Sequence, residues 1–310
     1  MSEYCIELEH LTKKFGKFTA VNDLSLKLEA GKIYGIVGPN GAGKSTTMAM
    51  MMGSLFPTEG SGKIYDYPLA STEALKLLGY SPEFTSFYTD MSCAEYLWYM
   101  ARLSGLSSEK AVERTRELIR QFELEEHASR KVSRFSTGMK KKVSLAQAMI
   151  HEPKILLLDE PTANLDPSSR QEILETVRKL VDEKNLTVII SSHVLTELET
   201  VINHVLMIDH GKLILDAPIH KAQEMFSQGI LVVNTSDDEL LQARLPEYEF
   251  ARSEEGLRIQ TADMDSLKRK IVEIVYKENM MLNTLTEEVL SLDSLYKQVM
   301  EGDKTDAGNI

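Results

Sequence analysis

The sequence predicts an α/β core with a helical insertion, followed by a small α+β unit, and three observations carry that expectation. First, an apolar run, Ile33 to Val37, leads into Gly38-Pro39-Asn40-Gly41-Ala42-Gly43-Lys44-Ser45-Thr46, and a helical pattern follows from Thr47 to Leu55. Second, another apolar run, Ile155 to Leu158, ends in the carboxylates Asp159 and Glu160. Third, a new set of strands and helices begins after about residue 222, without a glycine-rich loop of its own. Buried strands separated by helices imply a covered sheet that binds its ligand at the carboxyl ends of the strands.

The elements follow in order. Ile6 to Glu9 and Leu24 to Leu28 alternate apolar with polar or small residues and read as strands. Ala30-Gly31-Lys32 turns the chain into the strand Ile33 to Val37. From about residue 86 to 150 the pattern is helical, over Ser92 to Leu103, Ser108 to Gln121 and Ser136 to Met149. Ser92 and Glu95 have the spacing of a capping box. The strand Lys154 to Asp159 comes next, then Leu186 to Ser191, then a hairpin of Val205 to Asp209 and Lys212 to Leu215 around His210-Gly211. These elements define a first domain over 1–222.

The second domain is expected over 223–300. Ile230 to Val233 reads as a strand, Asp237 to Ala243 as a helix, and Tyr248 to Ala251 with Gly256 to Gln260 as a hairpin. Met264 to Tyr276 and Leu290 to Met300 have helical spacing, and 301–310 is polar and expected to fray.

Composition narrows the class. No run of about 18 uncharged apolar residues occurs, so no membrane span is expected. The first residues, with Glu3, Glu7 and Glu9, lack the apolar centre of an export signal. Cys5 and Cys93 form neither a disulfide framework nor a metal spacing, and read as buried small residues in a reducing compartment. The formal net charge is −12, and residues 221–310 hold 18 acidic against 10 basic side chains. That unit is expected to be repelled by nucleic acid and by anionic lipid, so no nucleic-acid partner is expected.

The glycine-rich stretch fits G-x-x-x-x-G-K-[ST] between a strand and a helix. Glycines let the backbone turn sharply with its N–H groups inward, and a helix N-terminus adds partial positive charge. Lys44 is placed to reach the β- and γ-phosphates of a nucleoside triphosphate, and the Ser45 hydroxyl to hold Mg²⁺. Asp159 is a second candidate for the Mg²⁺ water shell. Glu160 beside it is free to orient a water and take its proton. His193 ends the run Ser191-Ser192-His193, where it can donate to the γ-phosphate, although Ser192 there also suits a helix cap. Ser136 and Gly138 open a helix and make a second phosphate-shaped terminus, expected to close on a nucleotide held by another molecule.

Taken together, these motifs resemble the nucleotide-binding subunit of an ATP-binding cassette (ABC) transporter, over residues 4 to about 220. Gly38 to Thr46 correspond to the family's Walker A loop, Phe135 to Met139 to its signature and Ile155 to Glu160 to Walker B. Asn164-Leu165-Asp166 corresponds to the D-loop and His193 to the switch histidine. The resemblance implies a P-loop NTPase core of ABC type, with ATP and Mg²⁺ as ligands and Glu160 as the catalytic glutamate. Phe15 falls where a family aromatic stacks on adenine, with Phe18 close by. Glu83 stands where many members have a glutamine that reaches Mg²⁺ and the permease. Thr137 and Met139 replace the commoner glycine and glutamine of the signature, while Ser136 and Gly138 keep the phosphate contact. Both departures resemble the exporter branch. The partners implied are a second cassette, identical or paralogous, and a separately encoded transmembrane permease. The implied place is the cytoplasmic side of the membrane, peripheral through that permease. Residues 83–105, with Tyr88, Trp98 and Tyr99, are expected to receive it or to pack the insertion core. A cassette ATPase acting on ribosomes or DNA, and a low-turnover regulatory or immunity module, are the alternatives.

Overall fold

The structure is a computed structural model that describes residues 4–226, 229–253, 255–261, 263–288, 291, 294 and 296. The chain divides into two compact units between Ile219 and His220.

The first unit opens with a hairpin of β1 (Tyr4–Phe15) and β2 (Phe18–Glu29), then β3 (Ile33–Val37) and α1 (Lys44–Met51). Next come β4 (Glu59–Ile64), β5 (Tyr67–Pro68), α2 (Thr72–Leu75) and β6 (Leu78–Ser81). The helical stretch holds α3 (Cys93–Leu103), α4 (Ser108–Gln121) and α5 (Thr137–Ala148). The chain returns through β7 (Ile155–Asp159), α6 (Pro167–Lys184), β8 (Thr187–Ser192), α7 (Leu195–Leu198), β9 (His204–Asp209) and β10 (Lys212–Pro218). α8 (Ile219–Phe226) crosses the division.

Six strands form one sheet in the order β10-β9-β3-β8-β7-β6, parallel except for β10. Every residue of β3, β7 and β8 is buried, which explains their unbroken apolar runs. A second, antiparallel sheet has the order β2-β1-β4-β5. One continuous core joins Leu8 and Leu24 of that sheet, Met48 and Met51 of α1, and Ile36, Leu157, Ile189 and Leu206 of the parallel sheet. Each such burial contributes about 1.5–3 kcal/mol. α1 thereby holds the loop before it against the ends of β3 and β7.

Some local expectations shift. β1 runs 12 residues rather than Ile6 to Glu9, because register shifts on either side of Leu11 let Leu8 and Leu11, three apart, both face the core. α1 begins at Lys44, three residues before the helical run read from sequence. Ser92 and Glu95 do form the capping box of α3. β4, β5, β6, α2 and α6 stand where the sequence reading assigned nothing. Cys5 and Cys93 are buried free thiols, and burial pushes each up to about 11.

The second unit contains β11 (Ile230–Thr235), α9 (Asp238–Arg244), β12 (Phe250–Ser253), β13 (Gly256–Gln260), α10 (Met264–Lys277) and β14 (Leu282–Glu287). Its antiparallel order, β12-β13-β11-β14, is that of a split βαβ sandwich. Leu231, Val233, Leu257 and Ile259 pack against Leu241, Leu267 and Ile271 of the two helices. β14 escaped the sequence reading because Leu282 and Leu285 are three apart. Leu285 pairs with Val233 and Leu282 with Thr235, so an irregularity in β14 turns both leucines to the core. The helix expected over 290–300 and the tail over 301–310 lie outside the described residues, apart from Ser291, Ser294 and Tyr296.

Candidate active site

The site forms at the carboxyl ends of β3, β7 and β8, where three chain segments converge. The loop between β3 and α1 is built around two glycines. A Cβ on Gly38 would lie 2.0 Å from the Ile208 carbonyl oxygen. Gly43, at φ 108°, would place one 2.6 Å from the Ala20 carbonyl oxygen. A side chain at Gly38 would collide with β9 and one at Gly43 with β2, so both glycines permit the loop's close approach to those strands. The Gly211 amide donates to the Ala42 carbonyl at 2.9 Å, pinning the loop to the β9–β10 turn.

Lys44 is buried. Its ammonium donates to the Gly38 carbonyl at 2.7 Å and the Pro39 carbonyl at 3.2 Å, and stands 4.0 Å from Glu160 Oε1. Burial lowers its pKa, while Glu160 and Asp159 oppose that shift. The Ser45 hydroxyl donates to Asp159 Oδ1 at 3.1 Å, across 114 residues of sequence. A hydroxyl and a carboxylate oxygen meeting at a helix start fit a hard, oxygen-seeking cation such as Mg²⁺.

Ser191 was not among the residues singled out from sequence, yet it links the Asp159 carboxylate to the Glu160 main chain. Its fully buried hydroxyl donates to Asp159 Oδ1 at 2.7 Å and accepts the Glu160 amide at 2.9 Å. Only its position at the tip of a strand signalled it. Glu160 itself has φ 47°, a left-handed conformation that costs about 1–2 kcal/mol in a residue with a Cβ. Its Oε2 lies 2.8 Å from His193 Nδ1, which orients the carboxylate. Tyr80, on β6, has its phenol pushed up to about 12 by burial and by the nearby Asp159 carboxylate.

The remaining expected residues sit further out. Phe15 and Phe18 face each other across the β1–β2 turn, both at least half exposed, with the Lys13 ammonium 5.3 Å from the Phe15 ring. Asn40 and Gly41 are exposed on the phosphate loop. Glu83 lies in the loop after β6. No hydrogen bond or ion pair joins its carboxylate to Ser45 or Asp159 among the described residues, and its carbonyl accepts from Lys141 at 2.6 Å. Ser136 caps α5, accepting the Met139 amide at 3.3 Å, and is exposed. A Cβ on Gly138 would meet Ser169 Oγ of α6 at 3.2 Å. Asp166 caps α6, accepting from the Ser169 amide and from the hydroxyls of Ser168 and Ser169. Those bonds, the Ser168 hydroxyl foremost, hold its carboxyl well below the usual carboxylate range.

The family model described as ABC transporter matches residues 21–163. The bacitracin transport ATP-binding protein of Bacillus licheniformis is 35% identical over 215 residues, 69% of this chain and 69% of that protein. The chain belongs to the ABC transporter ATP-binding family. The Nod factor export ATP-binding protein I of Burkholderia lata is 34% identical over 217 residues, covering 69% of this chain and 71% of its own. A solved ATP binding subunit of an ABC transporter superposes with a TM-score of 0.64 at 28% identity, over 72% of this chain and 93% of that one. The fold of this ABC cassette is therefore that of a P-loop ATPase. Among the described residues, no helix is long and apolar enough to cross a membrane.

Proposed function

We propose that this ABC cassette binds and hydrolyses ATP and thereby powers a membrane exporter. The observation that carries the reading is the meeting of Lys44, Ser45, Asp159, Glu160 and His193 at one strand-end cluster, with Ser191 tying the two acids together. Lys44 draws the β- and γ-phosphates to the loop. Ser45 and Asp159 would hold Mg²⁺, with Glu83 an additional candidate oxygen; the ion, when bound, would neutralise charge on the phosphate oxygens. Glu160 accepts the proton of a water whose oxygen bonds to the γ-phosphorus as the bond to the bridging oxygen breaks, leaving ADP and phosphate. His193 keeps the Glu160 carboxylate turned toward that water. Phe15 offers a face for the adenine.

The exposed helix start at Ser136 and Gly138 supports a composite site closed by a second cassette, with Asp166 near the same junction. Closure on ATP and reopening after hydrolysis would then move a separately encoded permease, which places the cassette on the cytoplasmic face of the membrane. The relatives named for bacitracin transport and Nod factor export support the export role. The acidic second unit is read as adding dimer contact, regulating coupling to the permease, or acting as a passive stabilising cap.

Glu160→Gln tests the reading. ATP binding is expected to persist while phosphate release falls roughly 10²-fold or more, the scale of lost acid–base catalysis. Near-normal release would remove Glu160 from its role.

A further inference from the structure

The base is gripped on its main chain as well as on its carboxylate. The Lys141 ammonium, on α5, donates to the Glu160 carbonyl at 3.2 Å and to the Glu83 carbonyl at 2.6 Å. These contacts span 19 and 58 residues of sequence and bring three segments to one cation. Lys141 is buried, although it stands in a run of three lysines, Lys140 to Lys142. Lys142, its neighbour, takes ion pairs with Glu123 and Glu172 instead. Among the described residues Lys141 makes no ion pair, and its two hydrogen-bond partners are main-chain oxygens.

The same helix holds the Glu83 loop a second time. Ser144, one turn beyond Lys141, has its hydroxyl 2.7 Å from Ser81 Oγ and 2.8 Å from Thr85 Oγ1. The segment from Ser81 to Thr85 is thus strapped to α5 at both ends and in the middle. Of these straps, the Lys141 ammonium alone extends to Glu160, where it meets a carbonyl that also accepts the Ala163 amide at 3.1 Å. Glu160 needs such a grip, because its left-handed backbone is unfavourable and must be held by its surroundings.

We propose that Lys141 is a positioning residue for hydrolysis, tying the Glu83 loop and α5 to the main chain of Glu160 so that a shift of the loop is transmitted to the base. A partner that engages the Glu83 loop would therefore act on hydrolysis through one buried ammonium. The proposal rests on Glu160 being the base.

The test uses the full chain and steady-state phosphate release. Lys141→Met keeps the buried stem and removes the charge. It is expected to lower kcat roughly 10- to 100-fold, the scale of a displaced reacting group, with the KM for MgATP within about twofold of wild type. Lys141→Arg, which retains a cationic donor, should recover most of the loss. In the Glu160→Gln background, Lys141→Met should cause no further fall, since the two changes disable one unit. Should Lys141→Met not fold, Lys141→Gln serves in its place, with the same expected split between kcat and KM. An unchanged kcat in the folded variant overturns the proposal. So does an equal fold-loss with and without Glu160, which would mean that Lys141 acts elsewhere. If Glu160→Gln alone retains the wild-type rate, the assignment of the base fails, and that result is separate from any result at Lys141.

Discussion

Ser191→Ala removes the single oxygen that ties the Asp159 carboxylate to the Glu160 main chain. The wild-type hydroxyl makes two bonds, to Asp159 Oδ1 at 2.7 Å and from the Glu160 amide at 2.9 Å, in a fully buried position. The bond to an ionised carboxylate is worth about 1.5–3 kcal/mol, and the orphaned amide costs about 1–3 kcal/mol. The two losses share an atom and do not simply add, so about 3 kcal/mol is the expected destabilisation. In a unit of this size each kcal/mol lowers the melting midpoint by about 2–4 °C, which makes the expected shift about 6–12 °C. Catalysis should suffer too, because Glu160 loses the anchor on its amide while Lys141 and Ala163 still hold its carbonyl. Calorimetry on the full chain measures the first effect, and phosphate release at saturating MgATP measures the second. A midpoint within about 2 °C of wild type, with kcat within about twofold, would refute the view that Ser191 organises the acids.

Two further outcomes are expected. Asp166 has a folded pKa held below the ordinary carboxylate value of about 3.9, so its contribution to stability is full above that pH and is lost as the pH falls toward the folded value. The stability gap between wild type and Asp166→Asn should therefore close on acidification below about pH 4, as followed by thermal melts across pH; a gap that stays constant would count against the charged cap. For the composite site, cysteines placed at positions 40 and 137 of different chains should crosslink when ATP is present. Crosslinks confined within one chain, with or without ATP, would exclude the two-cassette arrangement.

The short segments that build the candidate site were legible in the sequence. Gly38 to Thr46, Asp159-Glu160, Ser136 to Gly138 and His193 each declare themselves through residue type and through the strand or helix beside them. The boundaries of α4, Ser108–Gln121, and the capping box at Ser92 follow from the same local rules. Even α6 was readable in principle, since Asp166 at the cap and Pro167 at the first helical position are start signals that the sequence reading passed over. β14 was not readable in this way, because its pattern of leucines acquires meaning only through an irregular pairing with β11. Ser191 and Lys141 show the same limit at the site. One is a small polar residue in a strand tip, and the other is the middle lysine of three. Nothing nearby in the chain distinguishes either, because their partners lie 19 to 58 residues away. Local propensity fixes which residues can carry phosphate chemistry. Only the packing of α5, β6, β7 and β8 decides which hydroxyl and which ammonium are taken out of water to hold Glu160 in place, since a buried donor is set by what surrounds it in space.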